Sequence, residues 1–126
     1  MAITLGKGLS AATAALLLTT SFIMAQTAPP TFQGDPDVYK TIFEDQNLRV
    51  IAATWKKGER DKSHSHPLPS IVYSLNDCQF RIHAADGTTR DLPTKAGTAM
   101  AVPITQSHSA ENIGGTDCRA IFVERK

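Results

Sequence analysis

The sequence predicts an all-β fold, a sandwich or barrel of short strands. Apolar residues recur in short runs, several runs alternate, and turn-forming residues separate them at short intervals. The runs are LRVIAATW (48–55), SIVYSL (70–75), QFRIHA (79–84), TAMAVP (98–103) and CRAIFVE (118–124). Phe80 and Ile82 alternate with Gln79, Arg81 and His83, and Ile121 and Val123 alternate with Phe122 and Glu124. Period two is the signature of a strand with one face in and one face out. KKGE, LND, ADGT, KAG and NIGGTD fall between the runs, and Asp86-Gly87 suits a two-residue type I′ hairpin loop. No helical period follows residue 37, and no repeat of solenoid length is visible.

The first part of the 126-residue chain reads differently. Lys7 is followed by GLSAATAALLLTTSFIMA, uncharged and rich in small and apolar residues, and Ile23-Met24-Ala25 forms a small-residue cleavage pattern before Gln26. This is the layout of a secretory signal peptide over residues 1–25. A membrane anchor is the competing reading, since ~18 apolar residues begin to suggest a spanning helix. The Thr and Ser content lowers the hydrophobicity and favours cleavage. Residues 26–126 then form one exported domain, periplasmic or extracellular and free of the membrane, with room for a single modest core.

QTAPPTFQGDPD (26–37) predicts an extended, partly mobile lead-in over 26–44, leaving 45–126 as the domain proper. With 13 basic and 12 acidic residues the charge is balanced, and KKGERDK (56–62) reads as a solvated loop of mixed sign. That excludes a nucleic-acid surface, which needs clustered Lys and Arg. Cys78 and Cys118 make an even count, which in an exported domain suggests a disulfide; two free buried thiols are the alternative.

Four histidines remain to be weighed. On an extended segment, His64 and His66 in KSHSHPLPS point to one face and can reach one ion. Alone, such a pair is more often part of a polar loop. The wider spacing changes the balance. Gly58 completes G-x5-H-x-H, and GTAMAVPITQSHSAEN (97–112) reads G-x5-P-x-T-x2-H-x3-N, with Pro103, Thr105, His108 and Asn112 in place. In these two segments the chain resembles the cupin family, whose motifs are G-x5-H-x-H-x(3–4)-E-x6-G and G-x5-P-x-G-x2-H-x3-N. The resemblance covers roughly residues 45–125. The second motif departs only at Thr105, a glycine in the family. The first has Ser70 or Ile71 where the family has glutamate, and Asp77 or Cys78 where it has its closing glycine.

The resemblance implies a double-stranded β-helix, or jelly-roll barrel, with a divalent transition metal (Fe, Zn, Cu, Ni or Mn) held inside by His64, His66 and His108. Pro103 and Asn112 would be structural, the partner a small-molecule substrate or ligand, and the assembly a homodimer. Without the glutamate, three neutral imidazoles leave the ion's charge uncancelled and a coordination position open. Such a site favours an anionic or chelating oxygen ligand and weakens the hold on hard ions such as Mn²⁺. Ser70 would hold a water at most, Glu111 has the opposite strand parity to His108, and Glu59 and Asp61 sit in the charged loop expected to stay in solvent.

His83 is expected to face outward if Phe80 and Ile82 fill the barrel; the reverse would put Arg81 and His83 in the pocket. Trp55 and Tyr73 are expected in the core or pocket wall. In a jelly roll the strand before Cys78 ends beside the start of the last strand, so the two sulfurs are expected to meet across neighbouring strands. Two functional readings follow: a metal-dependent, oxygenase-like enzyme acting on a small molecule, or a non-catalytic cupin that captures a small ligand or handles metal. No nucleophile–base pair is identifiable, so hydrolytic Ser or Cys chemistry has no support.

Overall fold

A computed structural model describes residues 26–126, and the signal peptide expected at 1–25 lies outside the described residues. One helical turn, α1 (Thr31–Gly34), precedes nine strands in the described residues. These are β1 (Tyr39–Glu44), β2 (Leu48–Trp55), β3 (His64–His66), β4 (Ser70–Ser74), β5 (Cys78–Ala84), β6 (Thr89–Thr94), β7 (Ala99–Val102), β8 (Thr105–Asn112) and β9 (Cys118–Arg125). They form a five-stranded sheet in the order β1-β2-β9-β4-β7 and a four-stranded sheet in the order β3-β8-β5-β6. Every pairing between strands is antiparallel. This is the double-sheet jelly roll that the motifs imply.

The five apolar runs become β2, β4, β5, β7 and β9. The lead-in departs from expectation. Instead of an extended, mobile approach, residues 26–44 carry α1 and β1, and Thr31, Val38 and Tyr39 are buried. The fold therefore begins before residue 45. β1 gains its place by pairing with β2, Tyr39 opposite Ala53, a long-range contact that local composition does not reveal. β6 (TRDLPT) and β8 (TQSHSAEN) lack apolar runs. Pro93 is tolerated because β6 is an edge strand, where a missing N–H costs no central ladder bond.

The core lies between the sheets. Ile51 and Trp55 of β2, Phe80 of β5 and Phe122 of β9 are its large members, and Trp55 meets Phe80 edge-to-face at 4.9 Å between ring centroids. Tyr73 does not join them: it lies on the outer face of β4, 42% exposed, while its neighbours Val72 and Ser74 line the interior cavity. On β9 the inward face holds Phe122 together with Glu124, which is only 2% exposed. A buried carboxylate is costly without a partner. Arg49, opposite it on β2, supplies one, with Nη1 3.0 Å from Glu124 Oε2 and the guanidinium 4.2 Å from the centre of the Phe32 ring.

Two turns explain sequence features. Gly58 and Gly97, which open the two motifs, both have φ of +77°, a conformation that side chains other than glycine's resist. The β5–β6 hairpin differs from the expected type I′ loop. Gly87 has φ of +86°, but no non-glycine residue among the described residues has positive φ, whereas type I′ requires it at two positions. Gly87 N instead donates to Ala84 O and Ala84 N to Thr88 O, so the turn is longer by one residue and ends on the left-handed glycine.

Cys78 and Cys118 form a disulfide, with Cα atoms 5.8 Å apart across a sequence separation of 40. The expected pairing is present but its location differs. Cys78 opens β5 and Cys118 opens β9, strands of opposite sheets, so the bridge ties one sheet to the other rather than joining sheet neighbours. Removing it in a Cys78→Ala/Cys118→Ala double variant is expected to lower the unfolding free energy by ~3–5 kcal/mol, the chain-entropy range for a loop of this size, read from denaturant midpoints.

Candidate metal centre

The centre is built on β3 and β8. All three residues of β3 are buried. His64 lies opposite His108, but His66 lies opposite Thr105, so the register slips between the two pairs. Such an irregularity re-aims side chains locally, and here it lets both β3 histidines face His108. The free edge of β3 is covered by the lead-in: Ser65 N donates to Pro29 O at 2.8 Å, and Pro30 and Ser65 form a parallel bridge. Gly34 sits close beneath, where an added Cβ would come 3.2 Å from Pro29 Cγ and 3.5 Å from His64 Cβ.

The three imidazoles expected from the motifs come together. Their nearest ring nitrogens lie within 4.8 Å of one another, and His66 Nε2 and His108 Nε2 are 2.9 Å apart. Two imidazole nitrogens each ~2.0–2.1 Å from an ion and at right angles to it stand about 2.9 Å apart, so this pair already has the spacing of adjacent ligands. His64 Nδ1 is 2.9 Å from Lys62 O. A proton on Nδ1 makes that hydrogen bond and leaves the Nε2 lone pair for an ion. His66 is held from the other side by Phe122, whose ring stacks on it at 5.9 Å and 20°. Its Nδ1 is buried without a protein partner.

Burial, reinforced by the neighbouring His64 and His108, lowers the pKa of His66 to about 3. Burial, with His64 and Arg90 nearby, lowers that of His108 to about 4. Both rings are neutral near pH 7, the state in which imidazole binds metal. The cluster fits a divalent transition ion by donor type, spacing and protonation.

Asp61 departs most from the sequence reading. Expected in solvent, it is 4% exposed. Its Oδ2 accepts from Tyr39 Oη at 2.6 Å and Trp55 Nε1 at 2.9 Å, and its Oδ1 accepts from Ala110 N at 2.7 Å. Oδ1 is also 3.7 Å from His64 Nδ1. Asp61 therefore lies behind His64 and outside the three-histidine cluster. Its burial raises its pKa, opposed by His64 and the three donors. Tyr39 is held well above its ordinary pKa by burial and by Asp61, and its oxygen lies 3.5 Å from His64 Nε2.

The other candidates sort clearly. Ser70, one of the two positions that match the cupin motif's glutamate, is buried with its Oγ unpartnered in the protein, whereas Ile71, the other, is exposed. The carboxylate nearest in register, Glu124 opposite Ser70, is bound to Arg49. Glu59 remains in its loop and accepts from Lys56 N. Glu111 faces outward as its parity implies, 2.8 Å from Nε2 of His83, which also faces outward. Asn112 is fully buried: its Nδ2 donates to Trp55, Lys56 and Thr116 carbonyls and its Oδ1 accepts from Gly114 N, tying the β2 and β8 ends together.

Beside the histidines lies a cavity of about 500 Å³ between the sheets. Trp55, Val72, Phe80, Leu92, Met100 and Phe122 give it apolar walls, and Arg90 stands among the polar residues that line it. No Asp or Glu is among the described residues that line it. Tyr39, Asp61 and Arg90 are the residues that sequence reasoning missed. Tyr39 alternates with Thr41 and Phe43, a strand signal hidden by its Pro- and Gly-rich approach, whereas nothing in KKGERDK distinguishes Asp61.

Asp61→Ala leaves three buried donors unpaired and is expected to cost ~3–5 kcal/mol of stability by chemical denaturation. Asp91→Ala, which removes only the exposed pair with Arg81, should cost under ~1 kcal/mol. In chelator-treated protein, stability should also fall as pH drops. Below about pH 6.5 the unfolded chain protonates its histidines, whereas folded His108 and His66 resist until about 4 and 3. The expected slope is on the order of 1 kcal/mol per pH unit for each ring, measured by urea titrations across pH 4–7 and flattening above pH 7.

No family model and no curated protein matches the chain. Solved structures do. A cupin domain from Bordetella pertussis Tohama I superposes with a TM-score of 0.66 at 15% identity, covering 78% of this chain and 96% of that one. An RmlC-like cupin with a double-stranded β-helix fold from Methanocaldococcus jannaschii gives 0.57 at 14% identity, over 70% and 78%. An RmlC-like cupin from Shewanella frigidimarina gives 0.50 at 21% identity, over 69% and 73%. With two antiparallel sheets in jelly-roll order and these neighbours, the chain has the cupin fold.

Proposed function

We propose that this is an exported, metal-dependent protein that binds one divalent transition ion through His64, His66 and His108 and takes a small, largely apolar molecule with an oxygen donor into the adjoining cavity. The observation that carries the reading is the convergence of three imidazoles, two of them held neutral by burial, at the wall of a mainly apolar cavity. A bound ion would supply Lewis acidity and, if iron or copper, O₂ and redox chemistry.

The chain's own residues prepare the site around that ion. The Lys62 carbonyl orients His64, Phe122 holds the plane of His66, and the apolar walls exclude water. Among the described residues no carboxylate lines the cavity to act as a base, and the Tyr39 phenol keeps its proton, donated to Asp61. Proton abstraction by a side chain is thus poorly served. That favours an oxygenase-like reaction over hydrolysis. The same observation leaves capture of a small ligand without turnover as the second reading. Export rests on the leader at 1–25 and is supported by the disulfide.

Elemental analysis of the mature protein, made in an exporting host without a metal-affinity tag, should give close to one transition metal per chain. His64→Ala and His108→Ala should each abolish it, with the fold retained by circular dichroism. Protein that carries no metal and takes none up at neutral pH contradicts the proposal. The intact mass of the same sample should begin at Gln26.

A further inference from the structure

Two arginines, Arg90 and Arg119, are among the residues that line the cavity, and the metal-binding reading uses neither. Arg90, exposed on β6, stands on the sheet that carries the histidines. Arg90 lies on β6 opposite Ile82 of β5, and Leu92 and Thr94 follow it on the same face of the strand. All four residues line the cavity. Asp91, next in sequence, turns to the other face and is bound by Arg81 Nε and Nη2 at 2.8 and 3.1 Å. The Arg90 side chain makes no ion pair or hydrogen bond with any described residue. Arg90 and the three histidines line the same cavity. Among the described residues no acidic side chain lines that space to neutralise Arg90, and Glu124, the carboxylate on the inner face of the opposite sheet, is already committed to Arg49.

Arg90 is exposed at the edge of the cavity, and a guanidinium there with no acidic partner is free to pair with an anion that enters. We propose that Arg90 anchors the ligand, and that the ligand class is a small organic carboxylate: an apolar body filling the cavity and a carboxylate paired with the Arg90 guanidinium. This deepens the metal-dependent reading by naming its substrate class. A planar carboxylate can accept two parallel N–H bonds from the guanidinium, which an amide of the same shape cannot. The apolar walls favour an aromatic or aliphatic body over a sugar or a free phosphate.

The test is calorimetric titration of the full mature protein, metal-loaded, with benzoate, phenylacetate and hexanoate, each against its own primary amide. The acids should bind about ten- to a hundredfold more tightly than the amides, the worth of a charge-assisted hydrogen-bond pair. The preference should weaken at high salt. Arg90→Gln should abolish it and Arg90→Lys restore part of it, with metal content and thermal midpoint unchanged in both. Equal affinity for acid and amide, an unchanged preference in Arg90→Gln, or no binding by any of the carboxylates overturns the proposal. Repeating the titrations on His64→Ala separates the two readings. Failure of the wild-type protein to bind metal sinks the metal-dependent function alone, with the anchor still read from the metal-free His64→Ala titrations. Absence of an Arg90-dependent preference for acid over amide, with metal or without it, sinks the carboxylate anchor alone.

Discussion

One buried carboxylate organises this molecule. Asp61 receives a phenol from β1, an indole from β2 and a backbone amide from β8, and its own amide returns a bond to Ala110 O at 3.0 Å. Both sheets and the lead-in therefore meet on two oxygen atoms. Desolvating an acid there is costly, and only a full set of donors offsets the cost. The arrangement also fixes the loop that leads into β3, and with it the position of His64. Without it, Tyr39 and Trp55 would have no buried acceptor, and the T-shaped contact between their rings at 5.3 Å would lose its tether.

Charge inside the barrel is divided by location. Negative charge is kept behind the histidines, on Asp61, or paired across the five-stranded sheet, on Glu124 with Arg49. The cavity side carries the neutral rings of His66 and His108 and, among the described residues, two arginines, Arg90 and Arg119, with no carboxylate partner. A cation entering such a space meets lone pairs and no acidic side chain among the described residues that line it.

Much of this was legible in the chain, and the rest was hidden for physical reasons. Runs such as LRVIAATW and CRAIFVE declare themselves because both sheets bury one face against a shared core. The three histidines were legible because their spacing is set by turns, and Gly58 and Gly97 mark those turns through their positive φ. β1 and β6 were not, since long-range pairing holds them rather than local apolar pattern, and β8 was read as a strand only through the motif that carries His108. Asp61 was invisible within a run of alternating charge: its burial is created by Tyr39, Trp55 and Ala110 arriving from elsewhere. Tyr73 and the Asp86-Gly87 turn went the other way, with plausible local chemistry and a different outcome in three dimensions.

The pairing of β2 with β9 sets the order in which the molecule can be made. Leu48 lies opposite Arg125 and Trp55 opposite Cys118, so the second strand waits for the last one. β4 needs the same partner, because Ser70 to Ser74 pair with Glu124 to Ala120. Closing such long loops is entropically expensive and makes folding slow compared with helical domains of similar size. Phe122, which holds His66 in plane, belongs to that final strand. The histidines meet through the pairing of β3 with β8, but the ring that stacks on His66 arrives only once β9 has docked.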